Sequence, residues 1–410
     1  MIGAYTGVLL VVGGALLGAP ALIAIGVIVE LVWLLRSVWT RYGLQSVTYE
    51  RRLNAARVLV GEELELELTV RNRKFLPLPW LEVEDYVSEG ARFADRELEP
   101  AEEPGFGILR TTWTLGWYQR ATRTMRIVAE RRGVYDFGTV RLRVADLFDR
   151  DTVDSSSEQR LHFKVVPRAV PVRPTAPLSE LPGATRVERG LFEDPALFAG
   201  VRPYQHGDPL RRVHWKATAR LNRPVSRRFD PVQERDVVIA LDMQTIAGPF
   251  WVMHYDDDLV EGLCVAAMSI SRSMIGSGIE CGLGVNGYTS LTESRWVYIA
   301  PGSSVGQIEH IADQLADISR WPSMPFASLL DQLGRRVPRT TSIVALTGRD
   351  DEDSMTVLRR LQASGRQIRL AAHGRNASAA IARARSVGIP SSDVRLDPDW
   401  RTASALQMVG

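Results

Sequence analysis

The residue types best suited to chemistry crowd into one stretch, 198–230, FAGVRPYQHGDPLRRVHWKATARLNRPVSRRFD. It holds Gly200, Arg202, Tyr204, His206, Gly207, Asp208, Arg211, Arg212, His214, Trp215, Lys216 and Arg220. Asp208 followed by Pro209 reads as a helix start, because Asp caps well and the fixed φ of Pro suits the first turn. Leu210, Val213, Ala217 and Leu221 continue at the spacing of a buried stripe, which predicts a helix to about Leu221. Arg212, Lys216 and Arg220 then fall four apart on one side of it. A row of cations beside one Trp suits an anion or a carboxylate-bearing partner. Catalysis fits less well. His206, His214 and Asp208 lie close together, but no nucleophile motif, P-loop or metal-ligand spacing accompanies them, and His214 reads as a helix-face histidine.

A second place is set by chain organisation. RDVVIALD (235–242) is a continuous apolar strand ending in Asp242, the mark of burial on both faces. TSIVALTG (341–348) repeats the pattern. Further strands are expected at 279–285, 295–299 and 367–372. Helices are expected from Asp256 to about Met274 and at 304–319, 324–335, 353–364 and 376–387. This alternation implies an α/β domain, 231–410, on a doubly wound parallel sheet. Ligands of such sheets lie beyond the carboxyl ends of the strands, so the segments after Leu241 and Leu346 are the places to inspect.

The elements that must position both places precede them. Residues 2–35 are apolar apart from Glu30 and a few small polar residues. At about 20 residues per span they exceed one crossing. With Gly18-Ala19-Pro20 as a turn, a transmembrane helical hairpin is expected over 1–38, with helices at about 2–18 and 20–36. Its glycines allow close helix packing. Arg36, Arg41, Arg51 and Arg52 follow, which places the soluble part on the cytoplasmic side of the cell membrane. A cleaved signal peptide lacks its basic n-region here, and a single tilted span is the other alternative.

Residues 46–166 read as an antiparallel β-sandwich, immunoglobulin-like in outline, from alternation in 64–72, 81–87, 108–117, 123–132 and 138–148. Trp80, Trp113 and Trp117 are expected as core or sheet-edge packing. Residues 167–230 form a Pro- and Gly-punctuated arm that carries the basic stretch.

Composition sets outer limits. The chain has 410 residues and a net charge of +2, enough for several cores and too balanced for a polyanion binder by bulk charge. All but three of its 50 basic residues are Arg, which reads as coding bias of a GC-rich genome. Cys264 and Cys281 supply no disulfide framework and are expected to be small buried residues.

The run from Gly200 to Arg220 resembles the signature of the bacterial family named domain of unknown function 58, G-x-R-x-Y-x-x-G-D-x-x-R-x-I-x-W-K-x-x-A-R. Every fixed position matches except Val213, where the pattern has Ile. RRGVYDFG (131–138) resembles the element closing that family's β-domain, whereas Asp146-Leu147-Phe148-Asp149-Arg150 departs from its usual D-P-F-G-L. The resemblance implies membrane helices, a β-domain and a von Willebrand factor type A-like domain. It also implies association with MoxR-type AAA+ ATPases and transglutaminase-like proteins. It supplies no reaction.

A type A-like domain raises one metal question. Its adhesion site holds Mg²⁺ with D-x-S-x-S and with a Thr and an Asp from other loops. Here Gln244 and Ile246 stand in place of the two Ser, and Thr347-Gly348-Arg349 replaces the usual T-D-G. An Arg there repels a divalent ion. Neither metal nor cofactor is expected, and Asp242 is expected to cap the next segment or to pair with a signature Arg.

The expected function is a non-enzymatic, membrane-anchored scaffold or adaptor. It would bind a MoxR-type ATPase and other cell-envelope proteins. The expected docking residues are Gly200, Arg202, Tyr204, Gly207, Asp208, Arg212, Trp215, Lys216 and Arg220. The alternatives are an anionic-ligand binder and an enzyme of unknown reaction. Phospholipid or nucleic acid would be the anion, although nucleic acid is not the expected partner. The basic cluster has a purely structural reading as well, ion pairing with the acidic runs Asp256–Asp258 or Asp350–Asp353.

Overall fold

The computed structural model describes residues 2–145, 152–157, 160–174, 193–204, 213–221, 223–231, 236–251, 255–289, 295–397 and 399–410. The chain divides into two compact units, Met1–Pro167 and Arg168–Gly410.

The first unit opens with α1 (Ile2–Leu17) and α2 (Pro20–Tyr42). Gly18 takes φ 63°, a left-handed value glycine tolerates, and Pro20 then starts α2. The helices pack closely. A Cβ on Gly26 would lie 2.7 Å from Val11, and Glu30 Oε1 accepts the backbone N–H of Val8 at 3.0 Å. α2 runs to Tyr42 rather than stopping near residue 36, because nothing in RSVWTRY breaks a helix. α1, with 16 residues, is shorter than a full span.

The strands that follow are β1 (Val47–Leu53), β2 (Arg57–Leu59), β3 (Glu63–Asn72), β4 (Leu78–Ser88), β5 (Arg92–Phe93), β6 (Glu99–Pro100), β7 (Phe106–Leu115), β8 (Arg120–Val128), β9 (Gly133–Ala145), β10 (Thr152–Ser157) and β11 (Leu161–Val166). They make two sheets, β1-β3-β8-β5 and β2-β11-β9-β4-β7-β6, with β10 paired to β9. Alternation sets the faces: Leu64, Leu66, Leu68 and Val70 of β3 are buried. β4 lies between β9 and β7 and is buried on both faces. Its Glu82 and Glu84 are covered by Arg110 and Arg143. Trp113 is buried, as expected, and its indole N–H donates to Thr111 at 2.9 Å. Trp117 differs from the expectation: it is 60% exposed and stacks on Phe75. In the 131–138 element the Tyr135 hydroxyl donates to Arg131 O at 2.9 Å. Residues 146–150, where the family pattern is broken, lie outside the described residues.

The second unit contains β12 (Val172–Pro174), β13 (Glu193–Pro203), α3 (Trp215–Leu221), β14 (Val225–Pro231), β15 (Asp236–Leu241), α4 (Asp257–Gly276), β16 (Glu280–Val285), β17 (Gly287–Thr289), β18 (Val297–Gly302), α5 (Val305–Asp317), β19 (Ile318–Pro322), α6 (Phe326–Arg336), β20 (Ser342–Thr347), α7 (Glu352–Ala363), β21 (Ile368–His373), α8 (Ala377–Ser386), β22 (Ser391–Asp397) and β23 (Ala405–Val409). Its main sheet runs β12-β23-β22-β21-β20-β15-β16-β18. β16, β15, β20, β21 and β22 are parallel neighbours, while β18 and β23 pair antiparallel near the two edges. The expected parallel sheet is therefore mixed at its margins. Counting β15 as the first strand, the order from β18 to β22 is 3-2-1-4-5-6, with a switch point between β15 and β20.

α6, α7 and α8 cover one face, burying Val238, Ala240, Ile343, Ala345 and Leu370. α4 is long and apolar enough to cross a membrane, but 78% of it is buried, against 6% of Pro20–Trp39 in α2. The first is a core helix of its domain. Gly262 lets α4 approach closely, since a Cβ there would lie 2.5 Å from His373 Nε2. Cys264 and Cys281 are free and buried, and burial pushes the Cys281 thiol up to about 12.

Candidate functional site

The switch point brings together the two segments singled out in the sequence. Asp242 follows β15, Thr347 ends β20, and Asn286 follows β16, one residue past the Leu241–Val285 pair. All three are buried, Asp242 completely. Its Oδ1 accepts the Gln244 backbone N–H at 3.0 Å and Asn286 Nδ2 at 3.1 Å. Its Oδ2 accepts Thr347 Oγ1 and Arg349 Nε, each at 3.0 Å. Asn286 Oδ1 in turn accepts the Met243 N–H at 2.7 Å.

Arg349 is 5% exposed and is held from the other side by Asp351, at 3.1 Å. Asp351 also caps α7 by accepting the Ser354 N–H at 3.1 Å. Burial raises the Asp242 carboxyl above its ordinary value, and Arg349 is the leading influence that opposes this. Four protein donors, one of them a guanidinium, favour the charged form against that burial.

This donor set does not fit a divalent cation. The guanidinium supplies the positive charge that Mg²⁺ would supply, and both carboxylate oxygens are already engaged. Gln244 turns away and closes its own loop, donating Nε2 to Gly248 O at 2.7 Å and Ile246 O at 3.2 Å. The neighbouring hydroxyl is engaged as well: Thr245 Oγ1 accepts the Asp256 N–H at 2.8 Å. The partner of Asp242 is thus Arg349 rather than a signature Arg. Asn286 escaped the sequence reading. Its signal was the strand end at 285, beside that of β15.

The signature residues divide into those the structure places and those outside it. Gly207, Asp208, Arg211 and Arg212, with His206, lie outside the described residues. Gly200 and Arg202 are in β13, paired with Arg228 and Ser226 of β14 in a two-stranded antiparallel ribbon. Tyr204 follows, its backbone N–H donating to Pro224 O at 3.1 Å.

The expected helix from Asp208 to Leu221 is corrected. Val213 forms a bridge with Ser226, and the helix begins at Trp215. Strand pairing with β14 outcompetes helix propensity there, and His214 becomes the N-cap. Its carbonyl accepts the Thr218 N–H at 2.9 Å and its Nδ1 accepts the Ala217 N–H at 3.1 Å. Lys216 and Arg220 remain on one side of α3, exposed, beside Trp215 at 66% exposure.

Pairing of the basic cluster with the acidic runs does not hold for these two. Asp257 pairs with Arg320, Asp258 with Arg401 and Asp350 with Arg383. Asp256 caps α4. Among the described residues no carboxylate lies within ion-pair distance of Lys216 or Arg220.

Fold and site together define a chain with an apolar N-terminal helix pair, a β-unit and a mixed α/β unit whose switch point is closed by an internal ion pair. Residues 200–372 match the model of the family described as Protein of unknown function DUF58, which the run from Gly200 to Arg220 had indicated. The chain is 22% identical over 326 residues to the uncharacterized protein YeaD of Bacillus subtilis (strain 168), covering 77% of this chain and 73% of that protein. Among solved structures, the CARDB domain of a Pyrococcus furiosus protein aligns at 18% identity and TM-score 0.20, over 29% of this chain and 89% of that one. A β-glucosidase of Erythrobacter marinus aligns at 14% identity and TM-score 0.19, over 30% of this chain and 15% of the enzyme's. Likeness at those scores carries no argument.

Proposed function

We propose that this chain is a membrane-anchored recognition protein without a catalytic centre, in which α3 and the ribbon β13–β14 dock a protein partner. The α/β unit is read as von Willebrand factor type A-like, with Arg349 standing where the ion of an adhesion site would be. The observation that carries the proposal is the saturation of Asp242 by Arg349, Thr347, Asn286 and the Gln244 N–H. The position where such a sheet usually meets its ligand is sealed by the chain itself. Recognition then falls to the exposed trio Trp215, Lys216 and Arg220. Aromatic and Arg side chains are the types that dominate interface energetics.

A MoxR-type AAA+ ATPase is the partner proposed from the family resemblance. α1 and α2 form the proposed transmembrane hairpin, with both units on the cytoplasmic side. The test is capture of a purified MoxR-type ATPase by the detergent-solubilised full chain. Lys216→Glu should abolish capture while circular dichroism stays unchanged. Capture that survives Lys216→Glu and Trp215→Ala would overturn the docking role. Because Lys216 and Arg220 have no carboxylate partner among the described residues, an anionic ligand is the second reading. Salt-sensitive retention of the full chain on DNA, lost with Lys216→Glu, would favour it over the first. Protease added to intact cells should leave both units uncut if they are cytoplasmic.

A further inference from the structure

The first unit carries an aromatic patch that its own core does not use. Phe75, Trp117 and Tyr118 are 67%, 60% and 68% exposed, and the Phe75 and Trp117 rings stack with centroids 4.8 Å apart. They lie on two loops, 73–77 between β3 and β4 and 116–119 between β7 and β8. Asn72 ties the loops together by donating Nδ2 to Leu76 O at 2.8 Å and Gly116 O at 2.9 Å. The Tyr118 N–H adds a bond to Lys74 O at 3.1 Å.

These loops are fastened to the end of α2. The Trp39 indole N–H donates to Pro77 O at 3.1 Å, and Lys74 Nζ donates to Gly43 O at 2.8 Å and Gln45 O at 2.9 Å. The Arg73 N–H donates to Ser46 O at 2.9 Å. Trp39 is also the last residue of the exposed apolar stretch Pro20–Trp39. Twenty residues of helix rise about 30 Å, the thickness of a hydrocarbon core, so the level of Trp39 is that of the bilayer boundary.

Charge completes the picture. Arg71 and Arg120 face each other across the β3–β8 ladder at the mouths of the two loops, an arrangement that repels in water. Both are exposed, as are Arg73 beside them and Arg41 in the last turn of α2. No carboxylate among the described residues lies within ion-pair distance of Arg71, Arg73 or Arg120.

We infer that the loops 73–77 and 116–119 lie in the bilayer interface, with Phe75, Trp117 and Tyr118 among the lipid headgroups and the surrounding arginines on anionic lipid. Trp and Tyr favour this depth, and cations near it are drawn to an anionic surface. The β-unit is then seated on the membrane rather than tethered below it. This rests on the reading of α2 as a membrane span.

The test reconstitutes the full chain into phosphatidylglycerol–phosphatidylcholine vesicles with lipids brominated near the headgroup or deep in the acyl chain. The difference between wild type and Trp117→Phe isolates the emission of Trp117, and Trp33→Phe isolates that of Trp33 within α2. Trp117 should lose roughly half its emission to shallow bromines and little to deep ones, as expected for an interfacial Trp. Trp33 should be quenched by deep bromines. Quenching of Trp33 without Trp117 would overturn this inference and leave α2 as a span, whereas quenching of neither would remove both. In phosphatidylcholine alone the quenching of Trp117 should fall roughly twofold. Equal quenching in the two compositions would overturn the role of the arginines.

Discussion

Each unit withdraws a carboxylate from water and sets an arginine against it, but the two pairs occupy different kinds of place. Asp85 lies between the two sheets of the first unit, accepting the Tyr49 hydroxyl and Arg51 Nη1, while Arg51 Nη2 reaches Gly138 O at 3.1 Å. It joins strands of opposite sheets, β1 and β4. Asp242 lies at the switch point of a doubly wound sheet, where four donors from three strand ends meet it. Burial pushes the Asp85 carboxyl up to about 6, with Tyr49 and Arg51 pulling it back. The same chemistry therefore serves a fastening in one unit and fills the customary ligand position in the other. A buried ion pair alone does not mark a site; its position in the topology does.

The largest expected effect comes from breaking the second pair. Arg349→Met leaves Asp242 buried without its cation and should cost about 3–5 kcal/mol in denaturant unfolding. Asp242→Asn added to it should recover most of that loss. If the double variant is no more stable than the single one, Asp242 depends on Thr347 and Asn286 more than on Arg349.

The first pair has a pH signature. A folded-state value raised from 3.8 to about 6 means that stability from Asp85 is full below pH 3.8 and is lost as pH rises through about 6. The advantage of wild type over Asp85→Asn should shrink across that window by up to about 3 kcal/mol. A constant difference from pH 4 to 7 would show that Asp85 stays ionised throughout.

Packing around the switch point gives a smaller effect. Gly262→Ala must displace His373 and should cost about 1–3 kcal/mol. The smallest expected change is at the trio proposed to dock a partner. Lys216→Glu and Trp215→Ala should each alter unfolding stability by less than about 0.5 kcal/mol, because both side chains are exposed. A larger loss would turn the signature helix into a structural element, like the Asp85 pair.

Periodicity made much of this fold readable. The strands 236–241 and 342–347 and the helices 257–276 and 326–336 follow from apolar runs and caps close to where they were expected. Short pairings were not readable. β12 and β23 carry little pattern of their own and exist because a sheet edge accepts them. The start of α3 is hidden in the sequence because Asp208-Pro209 offers a local cap, while the bridge from Val213 to Ser226 is a contact at a distance. At the candidate site Asp242, Thr347 and Arg349 were visible as types. That Arg349 folds inward onto Asp242 depends on Asp351 holding its other end, which spacing alone does not reveal.

Asp351 has a consequence of its own. One carboxylate both anchors Arg349 and closes the first turn of α7, so the arginine is a rod fixed between a strand end and a helix start. Replacing Asp351 would therefore uncap α7 and loosen the hold of Arg349 on Asp242 at one stroke. A single side chain thus ties the rim of the sheet to the start of a helix on its face.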